Sequence, residues 1–272
     1  MAEQHTPRSL IVTLYGAYGR TPDGAPLAVA ELVRLLGALG VDAPSVRSSV
    51  SRLKRRGLLI AERTPEGAAG YALSADARQL LDDGDRRIYD RPAPRLSDGW
   101  VLAVFSVPEA ERHKRHLLRS RLARLGFGTA APGVWIAPGH LYEETRHALE
   151  RLRLDPYVDL FRGEHLGFAA TAEAVGRWWD LGEIATLHEE FLAVHEPVLR
   201  RWETHGPAAD PAESAYRDYL PALDSWRQLP YADPGLPREL LPADWPGGRS
   251  AEVFTALHTQ LRDAGAEFVH PA

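Results

Sequence analysis

The side chains best suited to chemistry lie on one short stretch, Ser45–Val46–Arg47–Ser48–Ser49–Val50–Ser51–Arg52–Leu53–Lys54–Arg55–Arg56. At about 100° per residue, Val46, Val50 and Leu53 (i, i+4, i+7) fall on one side of a helix and face a core. Ser45, Ser48, Ser51, Arg52 and Arg55 fall on the other side. Short hydroxyl side chains let a helix backbone lie deep in a DNA groove. A guanidinium can pair bidentately with guanine O6 and N7, and a serine can donate or accept. Arg47, Lys54 and Arg56 flank that face and suit phosphates, which position a protein without reading sequence. Residues 43–63 carry six basic side chains, Arg63 being the last, against one acid, Glu62. A merely solvated basic helix has the same charge, so the neighbouring elements must decide.

Those neighbours are specific. Leu27–Leu39 reads as a helix with Leu32, Leu35, Leu36 and Leu39 inward, and Gly40–Pro44 as a turn. Gly57 ends the basic helix. Leu58–Ile60 and Tyr71–Leu73 read as strands around a Gly-rich tip, Pro65–Gly70. Helix, turn, basic helix and two strands form the pattern of a winged helix-turn-helix, which lays one helix in the major groove of double-stranded DNA. Ser9–Tyr18 has the apolar stripe of a supporting helix, and Gly19–Pro26 reads as a loop. Ser74 reads as the cap of a helix running to Ile88–Tyr89, and Asp90–Leu96 as a Pro-rich linker.

The chain has 272 residues, enough for two or three domains, and a net charge of −5. That charge is unevenly spread. Residues 162–272 hold 18 acidic against 9 basic residues, so residues 1–161 carry a balance of +4. A nucleic-acid binder needs a local basic surface, not a basic whole. There is no cysteine, which excludes disulfides, Cys-based zinc sites and a thiol nucleophile. No apolar run approaches a membrane span, and Met1–Thr6 lacks a signal-peptide core, so a cytoplasmic placement is expected.

A second unit follows the linker. Trp100–Phe105 reads as a strand and Glu109–Leu125 as a helix. Thr129–Ala131 with Val134–Ile136 reads as an extended segment broken at Pro132–Gly133. Glu143–Leu154 reads as a helix and Val158–Phe161 as a strand. That order predicts a small ferredoxin-like α/β sandwich. Beyond it, Ala172–Trp202, Glu213–Leu229 and Ala251–Phe268 read as helices. Pro230–Pro246, with five prolines, reads as an extended loop pinned over a helical bundle by Tyr231, Leu236, Leu240, Leu241 and Trp245. The expected class is α+β in three domains: 1–89, a winged helix-turn-helix with a linker helix; 90–165, a ferredoxin-like dimerisation or scaffold domain; 166–272, a helical domain.

Across nearly its whole length the chain resembles PaaX-type transcriptional regulators. Ser9–Gly16 is similar to the family's opening helix and Ser45–Leu53 to its recognition helix. Arg87–Ile88–Tyr89 matches the end of its linker helix. Trp100–Pro108 and Gly133–Pro138 match its middle unit, and Arg177–Leu181 and Asp233–Gly247 its C-terminal unit. The resemblance implies a homodimeric repressor that leaves its operator on binding an effector, which in the best-known branch is an aryl-acetyl-CoA thioester. The family's wing often carries a basic pair before its tyrosine. Here the tip is Pro65–Glu66–Gly67–Ala68–Ala69–Gly70, with Arg63 its one nearby cation.

Three other constellations bear on function. Arg112, Lys114, Arg115, Arg119, Arg121 and Arg124 crowd one helix, either as a solvated face or as a site for the phosphates of a CoA-like effector, with Arg112, Arg115 and Arg119 as its candidates. Trp178 and Trp179, with Trp202, Trp226 and Trp245, either line an acyl pocket or form core. His113 and His116 stand three apart with no converging ligand, so no metal or other cofactor is expected. The second unit also resembles a CRISPR-adaptation nuclease subunit. That nuclease ends its first strand on a metal-binding Asp, where this chain has Val104–Phe105–Ser106–Val107. No nucleophilic elbow or phosphate loop is present, so no enzyme is expected. The competing reading is an interaction or scaffold protein with a degenerate DNA module.

Overall fold

The computed structural model describes residues 5–20, 25–90, 94–205 and 210–271. In chain order its elements are α1 (Pro7–Tyr18), β1 (Leu27–Ala28), α2 (Val29–Ala38), α3 (Ala43–Arg55), β2 (Leu59–Arg63), β3 (Ala69–Leu73), α4 (Ala75–Ile88), β4 (Trp100–Phe105), α5 (Arg112–Arg124), β5 (Gly128–Ala131), β6 (Val134–Pro138), α6 (Tyr142–Arg151), β7 (Val158–Gly163), α7 (Thr171–Trp178), α8 (Leu181–His205), α9 (Pro211–Trp226), α10 (Leu229–Ala232) and α11 (Gly247–Val269). Helices and two antiparallel sheets make an α+β protein. The chain forms two compact units from separated stretches. Met1–Asp90, Glu189–Arg227 and Gly248–Ala272 form the first; Arg91–His188 and Gln228–Gly247 form the second. The stretch after residue 166 therefore contributes to both units.

In the first unit, α1 starts at Thr6, whose hydroxyl accepts from the Ser9 amide, and buries Leu10, Ile11, Leu14 and Tyr15. The expected helix at Leu27 begins two residues later. Leu27 and Ala28 instead form a short strand that pairs with Tyr71 and Gly70, giving a three-stranded sheet in the order β1-β3-β2. Of the loop expected over 19–26, residues 21–24 lie outside the described residues. Ser74 caps α4 as expected, its hydroxyl accepting from the Ala77 amide. The linker expected at 90–96 includes residues 91–93, which also lie outside the described residues.

C-terminal helices complete this unit. Tyr216 of α9 donates to the Leu35 carbonyl, and the Trp226 indole donates to the Ile88 carbonyl. Arg34 donates to the Phe268 carbonyl and stacks over the Phe268 ring. At Gly265 of α11 an added Cβ would stand 2.7 Å from the Tyr18 hydroxyl and 3.2 Å from the Tyr216 backbone, so any side chain there would have to push its neighbours aside. At the centre, Asp224 is fully buried and accepts from Ser9 Oγ (2.7 Å), Thr13 Oγ1 (2.6 Å) and Arg227 Nε (3.1 Å), with His5 Nδ1 at 2.9 Å.

In the second unit the sheet order is β5-β6-β4-β7, with β4 antiparallel to both neighbours. The segment expected as one broken strand is two antiparallel strands, β5 and β6, with a register shift between Thr129 and Ala131. Alternation along β4 separates two faces. Val101 and Ala103 pack with Leu122 of α5, Leu125 just past its end and Ala148 of α6. Trp100 and Ile136 pack with Val175, Trp179, Leu236 and Leu240. The Pro-rich segment is thus pinned on this sheet face, not over a helical bundle. Two short helical turns, α10 and Arg238–Leu240, interrupt it. The Arg238 guanidinium donates to the Pro242 and Ala243 carbonyls, and Asp233 accepts from the Gly235 amide (2.7 Å) and faces His188 Nε2 (3.0 Å).

Candidate nucleic-acid interface

The basic helix α3 is closed at both ends and exposed along one side. Asp42 caps it, accepting from the Ser45 amide at 2.9 Å, with Pro44 in the first turn. Gly57, at φ 71°, closes the other end. Its amide meets the Lys54 carbonyl and the Leu58 amide meets the Leu53 carbonyl, a closure that needs the left-handed backbone glycine allows. Val46, Val50 and Leu53 are buried as periodicity predicts.

The four serines divide. Ser45 Oγ donates to Asp42 Oδ2 at 2.7 Å, so this hydroxyl belongs to the cap and is taken away from the face expected to read bases. Ser49 is buried. Ser48 and Ser51 are exposed, beside exposed Arg47, Arg52, Lys54, Arg55 and Arg56. Among the described residues, none of those five cations has a side-chain hydrogen bond or ion pair. Set opposite the buried stripe, Ser48, Ser51 and Arg55 are central, with Arg47 and Arg52 on either side. The surface offers short polar groups ringed by unengaged positive charge, the chemistry that fits a groove walled by phosphates.

The β2–β3 hairpin behaves differently. The Thr64 hydroxyl accepts from the Ala68 amide, and it holds the Glu66 carboxyl below the usual carboxylate range by hydrogen bonding. Arg63 donates to the Gly67 carbonyl at 2.7 Å, so the cation expected to reach a phosphate is turned onto its own hairpin. The tip presents a carboxylate, not a base.

The five residues proposed for an effector do not converge. Arg112, Arg115 and Arg119 lie on α5, on the sheet face of Val101 and Ala103. Trp178 and Trp179 lie on the face of Trp100. Arg115 already donates to the Val107 carbonyl (2.9 Å) and nears Glu109. Trp179 is buried, its indole donating to the Gly126 carbonyl, and Trp178 packs edge-on against Trp100. Trp202 and Trp226 belong to the first unit's core. Among the described residues no group of three or more His, Asp or Glu is placed to hold a metal.

Sequence reasoning missed Asp42 and Asp224. An acidic residue three before Ser45 is a cap signal that was open to reading. Asp224 meets partners more than 200 residues away, for which no local signal exists.

Three family models match successive stretches of the chain: a PaaX-like protein model over residues 6–77, the PaaX protein central Cas2-like domain over 93–175, and the PaaX-like protein C-terminal domain over 179–271. The chain belongs to the PaaX family. It is 25% identical to the transcriptional repressor PaaX of Escherichia coli (strain K12) over 264 residues, covering 96% of this chain and 82% of that one. Among solved structures it is similar in fold to the uncharacterized protein Rv0674 from Mycobacterium tuberculosis, with a TM-score of 0.59, 24% identity, and coverage of 96% of this chain and 99% of that chain. For a PaaX family member, an exposed α3 joined to a capped turn is the surface to explain. Among the described residues no helix is long and apolar enough to cross a membrane.

Proposed function

We propose that this PaaX family protein is a sequence-specific, DNA-binding transcriptional repressor, and that α2, α3 and the β2–β3 hairpin act as a winged helix-turn-helix. The observation that carries the reading is the unengaged Arg47, Arg52, Lys54, Arg55 and Arg56 around Ser48 and Ser51 on a rigidly capped helix. The name of the Escherichia coli relative supports repression. In this reading α3 enters the major groove and the hairpin tip stays off the DNA, since Glu66 would meet phosphate.

The protein acts as a homodimer. The ferredoxin-like sheet of the second unit leaves β7 as an outer strand. Phe161 is 57% exposed on it, and Leu166 and Phe168 are exposed just beyond, an apolar edge for a second copy. Two copies of α3 then read half-sites about 10–10.5 bp apart, or a multiple of that. An acyl- or aryl-acetyl-CoA effector engages either the α5 face or the tryptophan face of the sheet, not both. The test is a gel shift with the DNA upstream of the protein's own operon. Binding should be sequence-selective and should weaken steeply with salt. Salt-insensitive association, or none, would overturn the reading. The acidic hairpin tip and inward-turned Arg63 favour one competitor, a scaffold whose DNA module is degenerate. Selective operator binding would remove it.

A further inference from the structure

Three aromatic rings and a phenol hydroxyl surround the half-buried imidazole of His258 on α11, and the DNA-binding reading uses none of them. The Tyr219 hydroxyl of α9 stands 2.7 Å from His258 Nδ1. The rings of Tyr89, Tyr219 and Phe254 lie 4.9, 5.6 and 5.7 Å from the imidazole, centre to centre. Tyr89 is the residue that closes α4. Its neighbour Ile88 is held from the same two helices: the Trp226 indole of α9 meets the Ile88 carbonyl at 3.0 Å and stacks on Phe254 of α11 at 4.7 Å. The end of α4 is thus fastened at two adjacent residues, and the chain leaves the first unit right after them, past Asp90.

One of the two fastenings depends on a proton. Tyr219 is fully buried, and burial keeps its phenol protonated far above the usual range. Such a hydroxyl donates to the free lone pair of a neutral imidazole. A protonated ring has no lone pair at Nδ1, so the hydroxyl must turn away from it. The new charge would also lie near Arg262. The other charged and titratable groups around the cluster are Tyr18 of α1 and Arg20 just past it, Asp85 of α4, and Asp263 of α11. Asp263 and the ring faces favour the cation. Burial and Arg262 oppose it and prevail, holding the His258 imidazole below its usual range.

We propose that Tyr219, His258 and Tyr89 form a proton-operated latch: the neutral imidazole fastens the end of α4 to α9 and α11, and the protonated imidazole releases it. The fastening is complete above the ordinary histidine value, about 6.5, and is lost as pH falls from there through the lower folded one. Hydrogen bonds and the Arg227 charge hold Asp224 below the usual carboxylate range, so that buried group stays ionised across the window. The loss is therefore local to the end of α4. No residue of α3 takes part, and the latch operates without DNA.

The test is amide exchange of the full-length protein at about pH 8 and about pH 5, corrected for the intrinsic pH dependence of exchange. The Tyr89 and Asp90 amides bond to the Asp85 and Arg86 carbonyls. They should lose about fivefold in protection at the lower pH, the worth of one hydrogen bond, while Leu10–Leu14 of α1 keep theirs. The His258 ring protons, followed by NMR, should titrate in step with that loss. His258→Gln offers Tyr219 a carbonyl oxygen that takes up no proton, and it should stay protected at both pH values. Tyr219→Phe should be poorly protected at both. A residue with a merely structural role would weaken protection without making it depend on pH. Three results would overturn the proposal: no loss in wild type, the same loss in His258→Gln, or a loss spread equally over α1 and α4.

Discussion

Two helices of this protein are each 13 residues long and rich in arginine, α3 and α5, and they differ in what their charges touch. The more basic one is α5, with six cations against four. Yet Lys114 of α5 is held by Glu111 and Tyr157, Arg115 by the Val107 carbonyl, and Arg121 is half-buried. α5 also has no side-chain cap. α3 has an Asp cap, a glycine-closed end and a buried side of Val46, Val50 and Leu53 with Ser49, and its cations are unengaged among the described residues. Charge density alone would put α5 ahead of α3, the reverse of the order that the proposed function requires. What separates them is charge left free beside short side chains on a stiffened backbone, because a groove can then be entered at little ordering cost.

The comparison is best attacked first from beneath α3. Asp224→Ala leaves the Ser9, Thr13 and Arg227 donors without their buried acceptor under α1, which packs against α3. The expected loss is about 3–5 kcal/mol of unfolding free energy, read by urea denaturation. Burial alone would raise the Asp224 carboxyl, but hydrogen bonds from His5, Ser9 and Thr13 with the Arg227 charge hold it below the usual range. Its stabilisation is therefore present above the ordinary carboxylate value and disappears as pH falls through the lower folded one. Acid unfolding of wild type should be steeper there than that of Asp224→Asn.

Next in size, Arg52→Ala should cost about 1–3 kcal/mol of operator affinity and relax base preference at one position of each half-site. Arg112→Ala on α5 should leave operator affinity within about twofold. Equal losses from the two substitutions would erase the distinction between the helices. A smaller effect is expected at the hairpin. Glu66→Lys should raise non-specific DNA affinity and steepen the log–log salt slope by about one phosphate. If the slope does not move, the tip lies away from DNA altogether. Smallest is Asp42→Ala, which should speed amide exchange at Ser45 without changing the fold. The cap's hydrogen bonds lower the Asp42 carboxyl, so acidification below the ordinary carboxylate range should give wild type the same fraying.

The helical face of α3 was legible because its period is local: Val46, Val50 and Leu53 repeat within eight residues. Ser74 as a cap and the break at Pro132–Gly133 were legible for the same reason. The two-residue strand at Leu27 was not, since pairing with Tyr71 and not propensity makes it a strand. The role of Ser45 was misread because a helix wheel places a hydroxyl on a face without saying that a neighbour has engaged it. The effector residues were grouped by chemical suitability. Only the alternation of β4 reveals that Arg119 and Trp179 stand on opposite sides of one sheet. The apolar anchors Leu236 and Leu240 were found, but their destination was not, because a proline-rich segment carries no period that points to a partner.

The first unit opens with residues 5–90 and is finished by α9 and α11, near the other end of the chain. A ribosome makes protein in one direction only. At about 5–20 residues per second, roughly 12–50 s pass between the emergence of Tyr18 and Arg34 and that of the Arg262 and Phe268 carbonyls that they meet. During that interval α1 and α2 wait with apolar surface uncovered. The part of this protein synthesised first is among the last to become native.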